Sequence, residues 1–134
     1  MHKVAQDLFD GEGEHIVLVG GRSRVTGEIV FPYPHGAESA LYERIHLQRR
    51  GYLWSWTVQR FPPKPPYNGS ADLASFRPYA VGYVELPDEI IVESRMVCDD
   101  FSQLAIGMPM VLTAEPYRAD AAGEPVYTFA FRPA

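Results

Sequence analysis

The side chains best suited to bond-making chemistry are few: one thiol, Cys98, and four imidazoles, His2, His15, His35 and His46. A cysteine nucleophile needs a cationic or basic neighbour to hold it as thiolate, whereas Cys98 is followed by Asp99 and Asp100, whose charge opposes ionisation. It reads as a structural thiol. Asp99 and Asp100 do not read as an acid–base pair either, because consecutive side chains diverge and capping of a short helical turn accounts for Asp100. The histidines never stand at the i, i+2 or i, i+4 spacing that brings imidazoles onto one metal ion. No Gly-x-x-x-x-Gly-Lys-Ser/Thr and no Gly-x-Gly-x-x-Gly loop occurs, so nucleotide hydrolysis has no support.

What remains is binding chemistry. Between residues 44 and 84, Arg44, Arg49, Arg50, Arg60, Lys64 and Arg77 face Asp72 alone, on a chain whose formal net charge is -5. Such an island suits a small phosphorylated ligand or an acidic partner, and solvated strand faces are the plain alternative. The overall charge opposes nucleic acid, since affinity for a phosphate backbone comes mainly from Lys and Arg. Trp54 and Trp56 stand two apart on one strand, which places them on one face, either stacking a ligand or, more commonly, filling a barrel. The P-x-x-P spacing in Pro62-Pro63-Lys64-Pro65 is frequent by chance.

These residues need a scaffold, and 134 residues make one domain. Twelve prolines and eleven glycines favour β structure over a helix bundle. A lone cysteine excludes an intramolecular disulfide framework and suits a reducing compartment. Neither an apolar leader nor an uninterrupted apolar run of membrane-spanning length is present, so the reading is cytoplasmic, with no membrane partner.

Val4, Leu8 and Phe9 predict a short amphipathic N-terminal helix ending before Gly11. Ile16-Val17-Leu18-Val19 and Glu28-Ile29-Val30-Phe31 predict short strands. Five strands follow Gly51: the Trp-rich run from Tyr52, then Tyr79 to Leu86, Ile90 to Val97, Met110 to Tyr117, and Val126 to Phe131. A helical turn capped by Asp100, with Gln103 completing the box, falls between the third and fourth. That pattern predicts a mainly β chain ending in a five-stranded Greek-key OB barrel. In such barrels the loop joining strands one and two flanks the binding face, which places Lys64, Tyr67 and Arg77 beside the ligand.

Several pieces, taken in order, resemble a prokaryotic family in which a rubredoxin-like zinc ribbon precedes an OB-fold, the domain-of-unknown-function family numbered thirty-five. They are Leu18-Val19-Gly20-Gly21-Arg22-Ser23-Arg24-Val25-Thr26-Gly27 with Phe31-Pro32, Gly51-Tyr52-Leu53-Trp54-Ser55-Trp56-Thr57-Val58, Arg77-Pro78-Tyr79-Ala80-Val81-Gly82-Tyr83-Val84-Glu85-Leu86, Leu104-Ala105-Ile106-Gly107-Met108-Pro109-Met110-Val111, and Phe131-Arg132-Pro133. The likeness covers about residues 16 to 134 and implies a degenerate zinc-ribbon-like region over 16–50 and the barrel over 51–134, preceded by the N-terminal helical segment over 1–15. It also implies a non-catalytic companion of a thiolase-like or lipid-transfer-protein-like subunit, for instance a steroid side-chain aldolase, that helps form the acyl-CoA passage. No cofactor would be held tightly. Arg60, Lys64 and Arg77 would then attract CoA phosphates, with Tyr67 or Tyr79 lining the pantetheine path. A barrel for single-stranded nucleic acid, reading bases with Trp54 and Trp56, and a stand-alone acyl-CoA enzyme are the competing classes.

The chain departs from the family where the ribbon's two Cys-x-x-Cys pairs belong. The first pair falls on Ser23 and Thr26, and the second near Gly36 to Ala40, where no thiol stands. Hydroxyls cannot replace four thiolates around zinc, so a metal-free hairpin packed by Ile29, Phe31, Ile45 and Leu47 is expected. Elemental analysis of the purified protein should find zinc far below one per chain; a stoichiometric amount would refute this.

Overall fold

The computed structural model describes residues 2–3, 8–60, 77–119 and 121–134. Its strands in chain order are β1 (His2–Lys3), β2 (Phe9–Asp10), β3 (Val17–Ser23), β4 (Ile29–Val30), β5 (Tyr42–His46), β6 (Arg50–Gln59), β7 (Tyr79–Leu86), β8 (Ile90–Met96), β9 (Pro109–Ala119) and β10 (Pro125–Pro133). Among the described residues helical structure is limited to three short 3-10 segments. None of these is long and apolar enough to cross a membrane.

Period-two alternation builds the barrel. Ala80, Gly82, Val84 and Leu86 of β7 and Val92, Ser94 and Met96 of β8 turn inward and are buried, while Tyr83, Glu85, Ile91 and Glu93 alternate with them and are exposed. β6 pairs antiparallel with β7, and β7 with β8. β10 then lies parallel to β8 and antiparallel to β9, and β9 returns to β6. The cycle β6-β7-β8-β10-β9 closes a five-stranded OB-fold, as the alternation and turn signals predicted. Asp100 caps the 3-10 segment Phe101–Gln103, accepting from the Ser102 amide at 2.9 Å.

A second, smaller sheet is centred on β3, which pairs with β2, β4 and β5. Leu47 is buried, and Ile29, Phe31 and Ile45 pack against the core, as expected of the hairpin. Two turns of this sheet, at 23–28 and 33–39, are closed by hydroxyl groups. Ser23 Oγ accepts from the Val25 and Thr26 amides, and Thr26 Oγ1 accepts from Glu28. In the second turn, Tyr33 Oη donates to the Ser39 carbonyl and Ser39 Oγ to that of Gly36.

Two expectations need correction. The N-terminal helix is replaced, in its described part, by extended chain: His2 and Lys3 pair with Val126 and Tyr127, and Phe9 and Asp10 with Leu18 and Val17. Residues 4–7 lie outside the described residues. Three apolar residues cannot distinguish a helix from a strand edge, and here Phe9 is fully buried in the core. Trp54 and Trp56 do not share a face. The register of β6 against β7 shifts between Leu53 and Ser55, a β-bulge at Trp54, and one extra residue reverses the side-chain alternation. Trp54 faces out, while Trp56 packs on the core.

Arg49, one of the island's cations, is spent on the backbone. Its guanidinium donates to the carbonyls of Ile16 at 2.9 Å and Leu112 at 3.1 Å, and also to that of Glu14. It thereby fastens the N-terminal segment and β9 to the start of β6. Arg49→Ala should lower stability by about 1.5–3 kcal/mol, the range for hydrogen bonds from charged groups. Arg49→Lys should not restore it, because an ammonium lacks the planar fork. Denaturant titration measures both; an unchanged midpoint for Arg49→Ala would contradict this role.

Candidate functional site

The sequence-selected residues cluster around the connection between β6 and β7 but do not share one pocket. Arg60 is exposed just past β6 and lines an open hollow of about 460 Å³ with Trp56, Thr57, Val58, Phe101, Ser102 and Leu104. β6 supplies Trp56 after its bulge, and the Asp100-capped turn supplies Phe101. The result is a polar and aromatic rim carrying one cation.

Tyr79 opens β7 opposite Gln59 yet belongs to a different hollow, of about 280 Å³, with Val81, Glu93, Ser94, Arg95, Thr128 and Phe129. The Arg95 guanidinium lies 4.2 Å from the centre of the Tyr79 ring and forms a 2.5 Å ion pair with Glu115. The ring is held by a cation–π contact. Arg77 is exposed immediately before β7. Lys64 and Tyr67 lie outside the described residues.

The basic island is therefore not one patch. Arg44 meets both carboxylate oxygens of Asp10 at 3.0 Å, and His46 Nε2 stands 2.8 Å from Asp10 Oδ2. The Arg44 and then the His46 hydrogen bond hold the Asp10 carboxyl below its usual range. Arg44 and Arg49 thus serve the fold.

A larger hollow, of about 820 Å³, has Glu12, Glu14, His15, Glu124 and Tyr127 in its lining. Glu14 is kept ionised by the Thr113 hydroxyl and then Arg132. Three carboxylates make this space hostile to a phosphorylated ligand. Among the described residues no three His, Cys, Asp or Glu side chains converge as metal ligands would.

Reading the alternation inward, toward the core, overlooked what it leaves outside. Tyr52, Trp54, Tyr83 and Ile91 are exposed on the outer side of β6, β7 and β8. Trp54 and Tyr83 meet edge to face, ring centres 6.2 Å apart, and Tyr83 Oη donates to Glu93 at 3.2 Å. The doublet Ile90-Ile91 was the available signal, because adjacent strand residues point to opposite faces. The bulge that exposes Trp54 had no comparable signature.

With this geometry in place, comparisons with known proteins add a family and a fold relative. The family model described as ChsH2, C-terminal OB-fold domain, matches residues 45–115. A solved structure, the Ltp2-ChsH2(DUF35) aldolase, aligns with a TM-score of 0.59 at 24% identity, covering 87% of this chain and 84% of that one. No curated protein sequence matches the chain.

Cys98 is disfavoured as a nucleophile by its surroundings as well as its neighbours. Partial burial raises its pKa, and Asp100 and then Asp99 raise it further. Alkylation by iodoacetamide at neutral pH, followed by mass spectrometry, should be slower than that of free cysteine. A rate equal to or above that of free cysteine would contradict the assignment.

Proposed function

The chain belongs to the family of ChsH2 C-terminal OB-fold domains, and from that premise we propose that it is a non-catalytic accessory subunit of a lipid-transfer-protein-like, thiolase-related enzyme acting on acyl-CoA thioesters. The observation that carries this reading is the family match over residues 45–115, which includes the Arg60 hollow. The solved relative is an Ltp2-ChsH2(DUF35) aldolase, and the proposed partner class follows that pairing.

The chemistry of the Arg60 hollow agrees. Arg60 offers a cation beside apolar and aromatic walls, a match for a phosphorylated ligand with a long neutral arm. Arg77 stands at the other end of the same connection, and Lys64 and Tyr67 belong to the chain between them. Tyr79 is better assigned to holding β7 against Arg95 than to lining the thioester path. The thioester would be shared with the catalytic subunit rather than retained by this chain alone. Single-stranded nucleic acid is a poor alternative, because β7 and β8, the strands that bind it in other OB-folds, carry Glu85 and Glu93 on their exposed side.

Purification of the tagged chain from its native cell, with mass spectrometry of what accompanies it, should return a lipid-transfer-protein-like subunit in stoichiometric amount. In that complex, replacing Arg60, Lys64 and Arg77 together by Ala should weaken acyl-CoA affinity about tenfold or more, equal to ~1.4 kcal/mol. Thioester turnover by the isolated chain, or unchanged affinity in the triple variant, would overturn the corresponding half of the reading.

A further inference from the structure

The outer side of β6, β7 and β8 carries an apolar cluster that the fold does not use. Trp54 is 55% exposed, Tyr52 49%, and Tyr83 and Ile91 41% each. Cross-strand register makes them neighbours. Tyr52 pairs with Glu85 and Glu85 with Ile91, while Tyr83, two residues from Glu85, pairs with Glu93. Directly opposed side chains lie about 5 Å apart, so Tyr52, Tyr83 and Ile91 surround Glu85 on one face, and Trp54 joins them through its edge-to-face contact with Tyr83. On the far side of β6, Gly107 donates to the Leu53 carbonyl at 2.7 Å and Leu53 to that of Met108 at 2.9 Å. This brings Ile106, 73% exposed, alongside the bulge.

The cluster depends on a specific backbone device. Trp54 is the extra residue of the bulge, and a Cβ on Gly82 would collide with the Ser55 carbonyl, so the bulge fits only against glycine. The bulge adds tryptophan to a contiguous exposed apolar cluster, the kind of surface that marks an interaction site.

Charge selects the occupant. Glu85 and Glu93 lie within the face, and Asp88 is exposed at the β7–β8 turn; among the described residues, the cations on this side are Arg50, two residues before Tyr52 on β6, and Arg95, two residues after Glu93 on β8, whose charge is met by Glu115. A second copy of this chain would set like-charged rims against each other across a two-fold axis. Nucleic acid and anionic lipid are repelled for the same reason. A folded protein surface with apolar side chains ringed by Lys and Arg fits both features.

Resting on the reading above, we propose that the face formed by Tyr52, Trp54, Tyr83 and Ile91 is the docking surface for the catalytic subunit, whose complementary surface is apolar with a basic rim. Aromatic residues dominate the binding energy of protein interfaces, and the exposed parts of these side chains would bury roughly 300–400 Å², at most half of the about 800 Å² per partner of a standard interface. The cluster is the centre of the contact, not its whole extent.

The test uses the lipid-transfer-protein-like subunit that accompanies the wild-type chain. Hydroxyl-radical footprinting of the unmodified complex should show Trp54 and Tyr83 protected relative to the free chain. Trp54→Ala and Ile91→Ser should each weaken subunit affinity at least tenfold. The pair Glu85→Lys and Glu93→Lys should slow association and reverse its salt dependence, and Arg24→Ala, in the turn after β3, should change neither. Thermal unfolding checks that each variant remains folded, and footprinting requires no variant. A complex that forms with Trp54 unprotected and all variants binding normally would overturn the docking face and leave the accessory-subunit reading standing. If no such subunit accompanies the chain, both fail. Concentration-dependent self-association abolished by Trp54→Ala would assign the face to a second copy and overturn the proposal.

Discussion

The structure depends on one continuous apolar core shared by two sheets. Phe9, Ile16, Leu18 and Leu47, from the N-terminal segments, belong to the same buried cluster as Leu53, Leu86, Met110, Leu112 and Phe131 of the barrel. Fully burying a side chain of this kind contributes about 1.5–3 kcal/mol, so neither sheet can leave the other without exposing a large part of the core. The polar fastening follows the same line. Arg49 holds Ile16 and Leu112 by their carbonyls, and the Glu14 carboxylate accepts from Thr113 and Arg132. The smaller sheet is therefore a support for β9 and β10 as well as a hairpin.

That arrangement explains how so small a hairpin holds together by packing and local hydrogen bonds. A structural zinc supplies folding energy to a sheet too small to build a core of its own. Here the sheet borrows the barrel's core, and its two turns need only local closure. Ser23, Thr26, Ser39 and Tyr33 provide it through side-chain hydrogen bonds to the backbone, each worth about 0.5–1.5 kcal/mol.

The barrel was legible in the sequence because period-two alternation is a local property, repeated over four strands with marked turns between them. Tyr79–Leu86 was predicted residue for residue. Interruptions of that alternation were harder to read. A bulge adds one residue without altering composition, so Trp54 and Trp56 were read as companions when they face opposite ways. The N-terminal segment failed for another reason: Phe9 is held by pairing with Leu18, a contact that nothing within residues 1–15 encodes. The basic island illustrates the same limit. Its charges are adjacent in sequence, but Arg44 and Arg49 turn to Asp10 and to backbone carbonyls, leaving Arg60 at the candidate hollow.

The two proposed surfaces make opposite use of charge, and the fold keeps them apart. On the β7–β8 face the carboxylates of Glu85 and Glu93 stand among aromatic rings, where they select against anionic ligands and for a basic protein surface. At the end of β6, past the bulge, Trp56 and Phe101 surround Arg60 without a carboxylate among the residues lining that hollow, an environment suited to phosphate. The bulge separates these functions along a single strand. Before it, alternate residues of β6 present Tyr52 and Trp54 to a partner; after it, the reversed alternation presents Trp56 to the hollow beside Arg60. A strand without the extra residue would place Trp54 and Trp56 on one side and could not serve both.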